Sequence, residues 1–544
     1  MDRFVHDRLP PKELWPELDF STLPELAAYP ERLNCAVELL DRAVAGGDGG
    51  GGFADRPVLH FGEVVWTYRD LLDRADRIAR VLVDDLGLEP GNRVLLRAPN
   101  NPMLVACWFG VVKAGGVVVA TMPLLRGKEI ATLIERADIR HGLCDRQLDA
   151  DWEAARALEP RLEHVRYFSA DGSGDDELER AMAGKAPGFG GVDTAGDDPV
   201  LIAFTSGTTG KPKGTVHFHR DVLAICDTFP RHLIHVRPDD VFVGSPPLAF
   251  TFGLGALVLF PMRYGASTVM VERFGPTTML EVVERYRCTG TYTSPTGYRA
   301  MAPHVKDFDV ASLRVSVSAG EHLPAATFEL WERATGVKIV DGIGATEMLH
   351  IFISAAGDDI RPGSTGKAIP GYRARLVDAD GQPVEPGPDG VAQGWLAVQG
   401  PTGCRYLDDV ERQRGYVKDG WNLTGDIYRR DADGYFWYVA RADDMIISSG
   451  YNISGPEVEN SLLGHEAVAE CAVVGDPDPD RGQVVKAFVV LRDGFAAGDA
   501  MVEALQNHVK GDIAPYKYPR RIDFVRELPK TQTGKLQRFR LREG

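Results

Sequence analysis

Basic residues are outnumbered in this chain. Its 61 lysines and arginines face 78 aspartates and glutamates, for a net charge of −17. That balance lacks the basic footprint of sequence-independent nucleic-acid binding. It leaves room for an anionic ligand, because a local basic site can sit on an acidic protein. Cysteine is sparse as well: seven in 544 residues, with no C-x-x-C pair. A disulfide framework is excluded and a reduced, cytoplasmic chain is expected. The opening "MDRFVHDRLPPKELWPELDF" has no apolar core of a signal peptide. The most membrane-like stretch, 103–125, is broken by Lys113 and by Gly115-Gly116, so a buried helix followed by a buried strand is expected. No short-period repeat is visible, which excludes a solenoid.

The P-loop of nucleotide hydrolases is missing too. Residues 205–214, "TSGTTGKPKG", come nearest to it, but only Thr208 and Thr209 separate Gly207 from Gly210, and Lys211 precedes Pro212 rather than a hydroxyl residue. Pro212 disfavours helical geometry at Lys211. What remains suits phosphate in another way. Glycines permit close backbone approach, hydroxyls and N–H groups can form an anion nest, and lysines neutralise charge.

At 544 residues, with 44% apolar and 26% charged content, the chain reads as a soluble globular protein of several domains. Strand-like "RVLLRAP", "VVVAT", "HGLCD" and "VLIAFTSG" alternate with helix-like "PMLVACWFGVVKAGG" and "KEIATLIERAD". Such alternation predicts crossover units and a largely parallel sheet, with ligands at the C-terminal ends of its strands. From about residue 363 the texture shifts to short strands between Gly/Pro turns, predicting a small antiparallel β unit over 363–440. The last hundred residues carry their own α+β alternation. The expected architecture is α/β: an N-terminal domain of parallel α/β sheets with the small β unit, 1–442, followed by a mobile α+β C-terminal domain, 443–544.

Further candidate groups follow in order. "DGIGATE" places Thr346 and Glu347 after a strand, a pattern that can hold Mg²⁺ against phosphate oxygens. "WNLTGDIY" offers Asp426 as a ribose acceptor. "PKTQTGKLQR" projects Lys535 from a turn. Each alone is an ordinary surface feature. Together with "SAGEHLP" and "YVARADDMIISSGYNISGPEVE", in this order over nearly the whole chain, they resemble the acyl-adenylate-forming superfamily of acyl-CoA synthetases, peptide-synthetase adenylation domains and firefly luciferase. "LAFTFGLG" and "GIGATEMLHIF" are similar to benzoate-CoA and 2-aminobenzoate-CoA ligases.

The resemblance implies an aryl-CoA ligase. It would join an aromatic carboxylate to ATP, giving acyl-AMP and pyrophosphate, and then pass the acyl group to coenzyme A. The alternative is an aryl-AMP ligase that loads a free carrier protein. It also implies roles. Thr205, Ser206, Gly207, Thr208, Thr209, Gly210 and Lys213 would cradle the phosphates, with Thr346 beside them and Glu347 on Mg²⁺. Gly320, Glu321, Asp341, Gly342 and Ile343 would line the adenine site, and Asp426 and Arg441 the ribose. Lys535 would bridge the attacking carboxylate and the α-phosphate. Asp443 would be the hinge of a rotating C-terminal domain, with Ser449, Gly450 and Tyr451 near the thiol tunnel.

For the acyl pocket, Phe250, Gly342, Gly344 and His350 are the candidates, which suits a flat aromatic acid such as 2-aminobenzoate, benzoate or salicylate. Two residues depart from the family pattern: Ile343 stands where many relatives stack an aromatic on adenine, and Ala440 replaces a glycine. "HFH", His217–His219, lacks a third metal ligand at suitable spacing and reads as local packing. Neither nucleic acid nor membrane is expected as a partner, and a homodimer is the family-level expectation.

Overall fold

A computed structural model describes residues 1–46, 52–205, 212–442, 444–448, 451–478, 481–530 and 536–542. Among them are four sheets. The first has six strands in the spatial order His164–Phe168, His141–Asp145, Arg93–Arg97, Val117–Thr121, Pro199–Thr205 and Lys213–Phe218. All its pairs are parallel except the last, which is antiparallel. The second sheet has nine strands. Its centre is parallel and carries Val241–Gly244, Gly290–Thr293, Val315–Ser318 and Ile339–Gly344.

The stretch 103–125 behaves as the sequence suggests. Asn101 caps the helix Pro102–Lys113 by accepting from the Leu104 N–H, Pro102 sits at its first turn, and all twelve residues are buried. Gly115, at φ +76°, turns the chain into the strand Val117–Thr121. Gly110 lets this helix touch its neighbour Tyr68–Arg80, since a Cβ there would meet Ile78 at 2.6 Å. Lys113 is fully buried and is neutralised by Asp41 and Asp76, each at 2.6 Å. Breaking that cluster on one side would strand a buried charge. No helix among the described residues is long and apolar enough to cross a membrane.

The texture change near residue 363 has a different structural meaning from the one expected. The first short strand after it, Lys367–Ala368, pairs antiparallel with Ile351–Ser354 and closes the nine-stranded sheet. The small antiparallel unit begins with Arg373–Val377 and continues through Ala392–Gln399, Trp421–Arg430 and Phe436–Arg441. Alternating short strands look alike in sequence whichever sheet receives them. Beyond it lies a smaller C-terminal α+β domain. The long strands Val468–Asp478 and Gly482–Leu491 pair antiparallel, Arg521–Phe524 adds in parallel, and the helices Gly455–Leu463 and Asp499–Asp512 join them.

Candidate active site at the strand ends

The six-stranded sheet delivers Thr205 and Lys213 to one place, where they are register partners across the antiparallel pair. The Thr205 hydroxyl is buried without a hydrogen-bond partner. Ser206, Gly207, Thr208, Thr209 and Gly210 lie outside the described residues. From the other sheet, the strand Ile339–Gly344 runs into a single 3-10 turn, Thr346–Met348. There Lys213 Nζ meets Glu347 Oε1 at 2.5 Å, and the Tyr406 hydroxyl donates to the same oxygen at 2.6 Å. Burial alone would raise the Glu347 carboxyl. The Lys213 ammonium and the hydrogen bonds from Lys213 and Tyr406 outweigh it and hold the group below its ordinary value. Sequence reasoning brought Lys213 and Glu347 together but missed Tyr406.

This geometry bears on magnesium. Mg²⁺ keeps waters and usually takes one or two carboxylates plus substrate phosphates. An enclosed, ionised Glu347 beside a lysine fits that mode. An all-protein cage does not fit, because the described residues contain no cluster of three ligating side chains. His217 and His219 diverge: one reaches the Thr346 carbonyl, the other the main chain of Cys35.

Asp341 stands at the opposite end of the same strand and turn. It pairs in register with Ser318, and its Oδ1 is enclosed without a partner. Burial pushes its carboxyl up to about 7, against the weaker pull of the Gly342 N–H and Ser318. It borders a small crevice shared with Leu323, Phe328, Ile360 and Arg361. Gly320 is exposed at φ +91°, a conformation that favours glycine. The neighbouring Glu321 accepts from the Thr296 hydroxyl at 2.9 Å.

Asp426 and Arg441 are register partners on the strands Trp421–Arg430 and Phe436–Arg441, and Arg441 donates to Asp426 at 3.1 Å. Gly425, at φ +77°, leaves room for the guanidinium, which would stand 3.1 Å from a Cβ there. Two tyrosines, Tyr428 buried and Tyr416 partly buried, lie within electrostatic range of these acids. Burial first, then Glu347 and Asp426, raise the Tyr416 hydroxyl. Burial first, then Asp426 and Asp341, raise that of Tyr428. The three acids therefore share one neighbourhood.

His350, an acyl-pocket candidate, lies in a buried aromatic cluster. Its ring is buried, and burial lowers it to about 3 against the weaker opposing pull of the Phe252 main chain. The rings of Phe260, Phe252 and Phe229 surround it at centroid distances of 4.5, 5.7 and 5.8 Å. Gly255 makes the space, since a Cβ there would fall 2.5 Å from the imidazole. Leu349, just before, takes φ +68°, a strained value for a leucine. Phe250 is half-buried at the start of the helix Thr251–Leu254, and it is Phe252 that meets the histidine. The aromatic-rich "AFTFGLGALVLF" was the available signal for this cluster. Gly342 and Gly344 are required by the chain itself: a Cβ would strike Ile351 or the His350 carbonyl at 2.8 Å. Ile343 is half-buried against the main core.

Lys535, Asp443, Ser449 and Gly450 lie outside the described residues. Tyr451 begins the short strand Tyr451–Ile453 of the C-terminal sheet. That domain touches the larger one where Asn460 meets His322 at 3.5 Å and Arg299 reaches the Val468 carbonyl at 3.5 Å.

The chain is similar to known proteins in sequence and fold. Residues 50–405 match the AMP-binding enzyme family, and 457–535 match the AMP-binding enzyme C-terminal domain. The benzoate–CoA ligase of Thauera aromatica is 38% identical over 530 residues, covering 97% of this chain and 99% of that one. An anthranilate CoA ligase solved in complex with anthranoyl-AMP superposes with a TM-score of 0.88 at 35% identity, over 95% of this chain and 98% of the other. A benzoate CoA ligase from Burkholderia xenovorans LB400 gives 0.83 at 31% identity, over 94% and 100%.

Proposed function

The chain belongs to the AMP-binding enzyme family as an ATP-dependent, AMP-forming acid–thiol ligase, and on that premise we propose that its acid is a benzoate-type aromatic carboxylate, with 2-aminobenzoate, benzoate and salicylate the candidates. The observation that carries this reading is the cluster of aromatic rings packed around His350, where the resemblance places the acyl pocket. Three phenyl rings supply flat apolar surface beside one uncharged imidazole, a setting that suits an aromatic acid better than a flexible aliphatic one. A buried polar group built for one substituent discriminates far better than an apolar wall does.

The reaction has two steps. The carboxylate oxygen attacks the α-phosphorus of ATP and pyrophosphate leaves. The thiol of coenzyme A then attacks the acyl carbon, and AMP leaves as the new thioester forms. In this reading Thr205, the 206–210 segment, Lys213 and Thr346 hold the phosphates. Glu347 would hold Mg²⁺, which supplies charge neutralisation on the phosphate oxygens. Gly320, Glu321, Asp341 and Ile343 line the adenine, and Asp426 takes the ribose hydroxyls, steadied by Arg441. Lys535 supplies the cation between two anions that must approach each other. Asp443 would absorb the domain rotation, bringing Ser449, Gly450 and Tyr451 toward the thiol path.

Product analysis with ATP, coenzyme A and a panel of substituted benzoates tests this. The expected outcome is aryl-CoA with AMP and pyrophosphate. Aryl-AMP that accumulates without thioester would favour a carrier-protein acceptor. Turnover of aliphatic acids in preference to every benzoate would reject the assignment. Lys535→Ala is expected to abolish adenylation while sparing thioester formation from supplied acyl-AMP, and equal losses would remove Lys535 from its role.

A further inference from the structure

The two histidines of "HFH" are unused by the mechanism above. His219 is buried, and its Nδ1 accepts the Cys35 N–H at 3.2 Å, which is ordinary core packing. His217 is different. It is fully enclosed on the strand that follows the phosphate segment, yet its Nε2 stands 2.7 Å from the carbonyl oxygen of Thr346. A carbonyl can only accept, so this nitrogen carries a hydrogen and donates. Its Nδ1 faces the buried Asp221 carboxylate at 3.9 Å. Asp221 is tied to the equally buried Arg405 at 2.8 Å.

The neighbour of Arg405 is Tyr406, which donates to Glu347. The 405–407 segment is also stitched to the His217 strand by its main chain. Val216 N–H donates to the Arg405 carbonyl and Leu407 N–H to the Gly214 carbonyl, both at 2.9 Å. Strand and segment therefore form one body that grips the Thr346–Glu347 step twice, once by main chain and once by carboxylate. Lys213, from the same strand, makes a third contact, but it is the only one of the three with substantial exposure.

We propose that His217 and Tyr406 are positioning residues for adenylation: they hold Thr346 and Glu347 in place when Lys213 exchanges Glu347 for a phosphate of ATP. This rests on the adenylation reading. The physical reason is geometric. A cation that moves to the nucleotide releases one of the contacts on Glu347, and the two buried donors keep the step from following it. A displacement of an ångström in such a group costs rate even when binding survives.

The test compares His217→Gln with His217→Asn in the full-length protein. The glutamine amide nitrogen reaches close to the position of Nε2, whereas the asparagine amide stops short of Thr346. ATP–pyrophosphate exchange reads adenylation, supplied acyl-AMP reads thioester formation, and thermal melting reads the fold. His217→Asn is expected to lower the exchange kcat roughly 10- to 100-fold with little change in the KM for the acid. Thioester formation from acyl-AMP should stay near wild type, and His217→Gln should recover most of the exchange. Combining His217→Asn with Tyr406→Phe should cost less than the product of the single losses, because both hold one step. Equal exchange in the Gln and Asn variants, or losses that multiply, would overturn the proposal. So would parallel loss of both half-reactions in step with melting temperature. A wild-type chain that exchanges with no acid would instead reject the adenylation reading beneath it.

Discussion

The two ends of the 341–347 segment treat a carboxyl group in opposite ways. Asp341 is half-buried with its Oδ1 enclosed and no cation among the causes of its shift, and burial pushes it up to about 7. Glu347 is also enclosed, but Lys213 and Tyr406 turn the balance and keep it ionised. One short stretch of chain thus presents a carboxyl that takes up a proton near neutrality and another that stays charged. Burial sets the penalty for charge, and only a partner in space decides whether the penalty is met. The proposed division of labour follows: uncharged base recognition at one end and charge management at the other.

Removing the cation should break the contrast most severely. Lys213→Met leaves Glu347 in the condition of Asp341, an enclosed acid without an ammonium. Adenylation should fall roughly 100- to 1000-fold, the scale of a lost charge stabiliser. The Glu347 carboxyl should rise as well, visible as a protonated-acid infrared band that disappears in Lys213→Met/Glu347→Gln. A variant that adenylates normally would remove Lys213 from the phosphate site.

At the other end, Asp341→Asn should sharpen the comparison through stability. The native carboxyl titrates near 7 and the unfolded one near 3.8. Below the lower value both states are protonated and nothing is lost. As pH rises toward the upper value the unfolded state ionises first, so the wild type loses stability across that window. Asp341→Asn should therefore melt in urea like wild type near pH 3 and gain roughly 4 kcal/mol over it by pH 8. A difference that is constant with pH would contradict the buried, raised carboxyl.

Tyr406→Phe makes the mildest change, because Lys213 still contacts Glu347. One hydrogen bond to a charged group is lost, and adenylation should drop about 5- to 10-fold. A drop as large as that of Lys213→Met would mean that the tyrosine, not the lysine, is the main support of Glu347.

Much of this was legible in the sequence. The alternation of apolar strands and helices predicts the parallel sheets, and "TSGTTGKPKG" follows the strand Pro199–Thr205. The Lys113 interruption inside 103–125 reads correctly as a break between a helix and a strand. Other parts were hidden for a physical reason. Tyr406 acts on a residue 59 positions away, and His217 on one 129 positions away. Neither distance leaves a local pattern, and a tyrosine in "GCRYLDD" looks like any half-apolar side chain. The cluster around His350 draws Phe229, Phe252 and Phe260 from helical segments whose spacing reads as core.

By itself the sequence determined the order of the motifs, the parallel α/β alternation, and a glycine-, hydroxyl- and lysine-rich segment distinct from the hydrolase P-loop, because these depend on residue type and local spacing. The tertiary structure decided which acid sits beside a cation, which histidine reaches the 346–347 turn, and which rings pack around His350. Those are properties of burial and distance, set only when strands far apart in the chain end at the same place.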